Sequence, residues 1–179
     1  VGIGNAIVDV ISHESENFLQ DHNLVKDSMT LIDTDMAVAL YSEMSPTLQS
    51  SGGSAANTMS GIASLGGKAG YIGKIRDDHL GEFFSHDINA AGVDFVVKPA
   101  EEGLPTARSM IVVTPDGART MSTYLGISTN LRKDDLDVEL LESAQILYCE
   151  GYIWDIETTK DTIRSAIAIA KDANRTISF

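Results

Sequence analysis

Two stretches of this sequence combine residue types that could do chemistry. In "GNAIVDVI", Asp9 stands inside an apolar run; in "SGGSAANTMSG", a glycine pair opens a run of small residues with one asparagine. A buried carboxylate is costly unless it is paired or faces a ligand. An ionised one accepts hydrogen bonds from adjacent hydroxyls, so an Asp aimed into a cleft suits a polyhydroxylated ligand. The other reading of Asp9 is a strand-end residue that caps a neighbouring helix. Asn5 lies four residues earlier and points the same way if Val1 to Ile11 is one extended strand.

Gly52 and Gly53 carry no Cβ, so a ligand can come close to their backbone. A helix starting at Ser54 would turn its free amides and positive dipole end toward an oxygen-rich group. Asn57 falls one turn into that helix, and Ala55, Ala56 and Ser60 keep the turn slim. Taken alone, a glycine pair reads first as a tight turn before a close-packed helix. No Gly-Lys-Ser/Thr follows, which excludes a Walker A loop. The glycine spacing and the weak strand character of "TLQSS" exclude a dinucleotide fingerprint.

Strands and helices alternate around these stretches. Val1–Ile11 and "MTLID" read as strands, and Thr34 as the cap of a helix running to about Met44. Ser54–Leu65 reads as a helix stopped by Gly66-Gly67, followed by the strand "KAGYIGK". Asp78–Ala91 is amphipathic, with Leu80, Phe83, Phe84, Ile88 and Ala91 on one side. "VDFVV" follows as a strand. "ARSMIVVTPDGARTMSTYL" then reads as a hairpin about Thr114-Pro115-Asp116-Gly117. A helix over Asp134–Ser143, the strand "ILYCEGY", a helix over Glu157–Asn174 and the strand "TISF" complete the chain. The alternation predicts an α/β fold with a mostly parallel sheet, the hairpin being an appended flap.

Composition sets outer bounds. The chain has 179 residues, 43% of them hydrophobic, enough for one domain with a real core. Its formal net charge of −13 argues against nucleic acid as a polymer partner and against an anionic membrane surface. No apolar run approaches the roughly 20 residues needed to cross a bilayer. The single cysteine, Cys149, excludes an intrachain disulfide and reads as a small core residue. These features predict a cytoplasmic protein with no membrane partner. The chain starts without Met and ends inside a strand pattern, as a piece of a longer protein would.

The segments "GNAIVDV", "GGSAANT", "GKIRDDHLGEFFSHDINAAGVD" and "EGYIWD", in this order, resemble the N-terminal half of the ribokinase-like carbohydrate kinases, the phosphofructokinase-B family. The resemblance is to the adenosine kinase-like branch and covers nearly the whole chain. It implies a three-layer α/β/α core with a small β-sheet lid over the sugar, the lid segments being about 12–36 and 104–126. It implies transfer of the ATP γ-phosphate to a hydroxymethyl group of a sugar or nucleoside, with Mg²⁺.

Carried over residue by residue, the resemblance makes Asp9 a ligand of ribose hydroxyls, with Asn5 beside it. Gly52, Gly53 and Asn57 form the sugar cradle, with Ser54 following. Glu150 resembles an acidic residue that contacts the substrate or the metal network. Arg119, on the lid strand, is either a contact to the transferred phosphate or a plain exposed hairpin residue. Met121 and Leu125 either face the base or pack the lid, and Met29 is a weaker candidate.

The family's catalytic base lies in a Gly-Ala-Gly-Asp segment, which this chain lacks. The resemblance therefore puts the base beyond Phe179, the ATP site outside this chain, and makes the chain inactive alone. A nucleoside is the expected substrate. Fructokinase or ribokinase activity is the alternative, as is a kinase-like module that binds a ligand without turnover. The low charge of "SMIVV" at a sheet edge predicts a homodimer through the lid.

Overall fold

The computed structural model describes residues 1–179. In chain order its elements are β1 (Gly2–Ile3), β2 (Ile7–His13), α1 (Glu16–Asp21), β3 (Met29–Leu31), α2 (Thr34–Glu43), β4 (Leu48–Gly52), α3 (Ser54–Ser64), β5 (Ala69–Ile72), α4 (His79–Ala90), β6 (Val93–Asp94), β7 (Ala107–Val113), β8 (Arg119–Tyr124), α5 (Val138–Ser143), β9 (Ile146–Cys149), α6 (Glu157–Asp172) and β10 (Thr176–Ser178).

The strands form two sheets. A parallel core sheet runs β10-β9-β1-β5-β6, and a mixed second sheet runs β3-β8-β7-β2-β4. The central strands β1 and β5 are covered on both faces, which is why every residue in them is buried rather than every second one. On one face Ala55, Ala56 and Met59 of α3 meet Phe84 and Ile88 of α4 over Tyr71. On the other, Leu141 of α5 and Ile163, Ala166 and Ala170 of α6 cover Ile3, Ile72, Leu147 and Cys149. This gives the expected three α/β/α layers.

The second sheet shows a period of two. Along β2, Val8, Val10 and Ser12 are buried while Ile7, Asp9 and Ile11 are partly open. The buried face packs on the core and on α2, where Ala37 and Leu40 meet Met110 and Tyr124. The other face is open at its edges, with Leu48, Leu31 and Met29 70%, 58% and 51% exposed, and buried in the middle at Ser109, Ile111 and Thr123.

Several expectations change. Val1–Ile11 is not one strand: the chain breaks at Gly4–Ala6, leaving β1 in the core sheet and carrying β2 into the lid. Asn5 sits at that break, so strand alternation does not align it with Asp9. The weak-looking "TLQSS" forms β4, because pairing with β2 supplies what its side chains do not. Beyond the lid segments expected at 12–36 and 104–126, the second sheet takes in β4 and most of β2. Asp33, not Thr34, caps α2, its carboxylate accepting from Met36 N at 2.9 Å. Of "VDFVV" only Val93–Asp94 is strand; Phe95 turns in against Tyr71 and Phe84. The single helix read over Asp134–Ser143 is a 3₁₀ turn at 133–135 followed by α5.

The lid joins the core along one edge. Ile7 pairs with Gly52 and Ala107, and Arg108 with Tyr124. β2 and β7 therefore enter the lid, and β4 and β8 leave it, at a single row. The tip of the hairpin, Thr114–Ala118, lies at the far end.

Candidate active site

The break at Gly4–Ala6 and the β4–α3 junction lie side by side, and one carboxylate ties them together. Glu150, at the end of β9, is only 2% exposed. Its Oε2 accepts from Asn5 N at 2.9 Å, and its Oε1 accepts from Ala55 N at 3.2 Å and from the Ser54 hydroxyl. It occupies the N-terminus of α3, where orphan amides and the helix dipole favour a negative charge. A methyl group on Gly4 would strike this carboxylate. Glu150, expected to contact the substrate, thus serves here as an internal brace under the cradle.

Gly53 shows why the sequence needs glycine at this point. Its φ is +93°, and a Cβ would collide with the Asn5 carbonyl. Asn5 shapes the cradle through its backbone: the N–H meets Glu150 and the carbonyl lies under Gly53. Asn57, one turn into α3, is exposed, and its N–H closes the first helical bond to Gly53 O at 2.9 Å. Ser54 is exposed at the helix mouth, with its hydroxyl turned back to Glu150.

Asp9 stands above this cradle on the open face of the lid sheet. It pairs with Ser50 on one side and Ser109 on the other, and Ser109 pairs with Thr123. In-register partners share a face, so Ser50, Asp9, Ser109 and Thr123 form a polar row across four strands. The Ser109 and Thr123 hydroxyls bond each other at 2.8 Å. Burial pushes the Asp9 carboxyl up to about 6, opposed by the charge of Arg119. Ser50 and Ser109 were not legible as site residues; their place depends on strand register, which local sequence does not reveal.

The remaining expected residues fall into two groups. Arg119, Met121 and Thr123 share the open face through alternation on β8, and Met29 and Leu31 join them from β3. Arg119 is exposed at the far end of its strand, opposite Val113. Leu125 lies outside this alternation: it follows the strand in helical backbone, at φ −77° and ψ −22°, and is half-buried. A hollow of about 1050 Å³ lies elsewhere, at the opposite end of the core sheet between Val1, Met59, Gly70 and Ile146. No cradle residue lines it.

The chain therefore brings a carboxylate, a hydroxyl row and a glycine turn backed by Glu150 together where the lid meets the core. A family model described as pfkB family carbohydrate kinase matches residues 21–178. The chain belongs to that family. Among solved structures, this pfkB-family chain is 49% identical to an adenosine kinase from Sinorhizobium meliloti, with a TM-score of 0.89 over 98% of this chain and 54% of that one. A probable sugar kinase from Rhizobium etli CFN 42 is 46% identical, with a TM-score of 0.89 over 98% of this chain and 53% of that one. Probable fructokinase-2 of Arabidopsis thaliana is 29% identical across 83% of this chain and 45% of its own length. The chain spans about half the length of the relatives it matches. No helix is long and apolar enough to cross a membrane.

Proposed function

We propose that the protein containing this chain transfers the γ-phosphate of ATP to the hydroxymethyl group of a ribonucleoside such as adenosine. The observation that carries this reading is the mixed face of the lid sheet. Asp9 and the exposed Ser50 offer partners for sugar hydroxyls, backed by the buried, mutually bonded Ser109 and Thr123, while Met121, Met29 and Leu31 on the same face offer an apolar surface for a flat base.

In this reading Asp9 accepts from the ribose hydroxyls, and Gly52 and Gly53 let the sugar come close to the backbone ahead of α3, whose N-terminus is already filled by Glu150. Arg119, on the same face, meets the transferred phosphate as its charge shifts. ATP is the co-substrate. No His, Cys, Asp or Glu groups converge here to hold a metal, so Mg²⁺ would come with the phosphates of ATP. The general base comes from outside this chain, which alone binds without turnover. Phosphoryl transfer depends on positioning and charge stabilisation, and the cradle supplies the acceptor's share of that positioning.

A free sugar such as fructose or ribose is the second reading, favoured by the polar row that Ser50 extends to the edge of the lid. The deciding experiment is a substrate panel on the full-length protein with ATP and Mg²⁺, setting adenosine against fructose and ribose. A higher kcat/KM for adenosine supports the first reading, and one about tenfold higher for fructose or ribose replaces it with the second. Absence of turnover with every acceptor, alongside measurable binding, would make the protein a ligand-binding module.

A further inference from the structure

We infer that Asp87 is a positioning residue for the sugar cradle, a role that rests on the kinase reading above. β4 is an edge strand, so its N–H groups turned away from β2 lack a strand partner. The outward N–H of Ser51, the residue before Gly52, donates to Asp87 Oδ2 at 2.7 Å. Asp87 lies on α4 between Phe84 and Ile88, both fully buried. Residues three and four apart on a helix share a face, so this carboxylate borders the buried stripe. Such a placement is unfavourable unless the group is engaged.

The helix that carries Asp87 is itself fixed. Asp78 caps it, accepting from Gly81 N at 2.9 Å, and takes Thr106 N at 2.9 Å with its other oxygen, which ties α4 to the entry of β7. Asp87 passes this fixed position to the backbone just ahead of the glycine pair. Glu150 does the corresponding work on the opposite side, through Asn5 and Ala55. The two strands that meet at the cradle are therefore each held by a carboxylate from a packed element, as a preorganised site requires. Gly52 touches Asp9, so freedom at Ser51 becomes freedom between the cradle and the hydroxyl-binding carboxylate.

The test uses the full-length protein with Asp87→Ala and Asp87→Asn. In Asp87→Ala, the KM for the sugar-bearing acceptor rises about tenfold, while the KM for ATP stays within about twofold. Asp87→Asn, which keeps an acceptor oxygen, recovers at least part of the loss. Amide hydrogen exchange gives a readout independent of turnover: in Asp87→Ala, protection falls over residues 48–54 and is kept across α4 and β5. Unchanged exchange over 48–54 overturns the proposal. So does a joint rise of both KM values without recovery in Asp87→Asn. A wild-type protein that phosphorylates no acceptor would instead defeat the kinase reading, and the exchange comparison would still decide the role of Asp87.

Discussion

Asp9 lies so close to the Cα of Gly52 that a methyl group placed there would overlap its carboxylate. The pair comes from neighbouring strands, two residues out of direct register, and has only a hydrogen atom's worth of space. Gly52→Ala must push Asp9 out of place. We expect a stability loss of about 1–3 kcal/mol from overpacking and at least a tenfold loss of acceptor affinity in the full-length protein. Gly61→Ala, where a Cβ meets nothing within 4 Å, serves as the control; it should bind normally and gain up to about 1 kcal/mol of helix stability. Thermal unfolding and an adenosine titration read both effects. Wild-type affinity in Gly52→Ala would remove Asp9 from the site.

Asp9 also predicts a pH signature. Its carboxyl titrates near 6 in the folded chain because burial disfavours the charge. The folded state thus holds this proton more tightly than the unfolded chain. The resulting stability is present in full below about pH 4 and is lost as pH rises through the folded value. The loss is on the order of 2–3 kcal/mol. Asp9→Asn, which cannot ionise, should melt above wild type at about pH 7.5, with the difference closing near about pH 4. Acceptor binding runs the other way: wild-type affinity rises as the carboxylate ionises, and Asp9→Asn stays weak throughout. A melting difference that does not change with pH contradicts the prediction.

Glu150→Ala removes the acceptor of three donors at once, Asn5 N, Ala55 N and the Ser54 hydroxyl. Each buried donor left unpaired costs about 1–3 kcal/mol. The variant should lose at least about 3 kcal/mol in urea unfolding, while Glu150→Gln, which keeps one acceptor oxygen, should lose less. Equal stability of Glu150→Ala and wild type would mean that Glu150 is not a brace.

On the open face of the lid Leu48 is exposed at one edge and Leu31 and Met29 at the other, with Ile11, the buried Ile111 and Met121 between them. Apolar surface of this kind is suited to a partner. The run "SMIVV" lies on β7, flanked by β8 and β2, so it is not the edge that the sequence suggested. We propose that the full-length protein pairs with a second copy through the β4 edge of the lid, where Leu48 is 70% exposed and lies away from the base-facing Met29 and Leu31. Light scattering should show a dimer that Leu48→Lys converts to monomer; a monomer at every accessible concentration refutes the pairing.

The core layers were largely legible because their signals are local. The apolar stripe of Glu157–Asp172 and the run "ILYC" each specify an element and its buried side without outside help. Asp9, Gly52 and Gly53 were legible for a related reason: a carboxylate in an apolar run and a glycine pair before a helix are conspicuous in any context. The strand break at Gly4–Ala6 was not, since a continuous apolar run carries no mark of where it changes sheets. The polar row through Ser109 depends on the pairing of β2 with β7, whose paired residues Asp9 and Ser109 lie 100 positions apart. The bracing role of Glu150 depends likewise on contacts across 145 and 95 positions.

Because every chain connection between the sheets crosses one row, Ile7 to Tyr124, and core packing holds Val8 and Val10 just beyond it, the outer lid is a cantilever. Under any rotation about that row, displacement grows with distance from it. Asp9 is two residues out, about 7 Å along the strand, and Arg119, opposite Val113, is about 20 Å out. A swing of about 20° would move the first by roughly 2 Å and the second by roughly 7 Å. Distance labels at Ser50 and Asp116 would read this ratio directly. In the proposed reading the hydroxyl contact would sit close to the pivot, where its geometry changes least, whereas the strand end that carries Arg119 moves most.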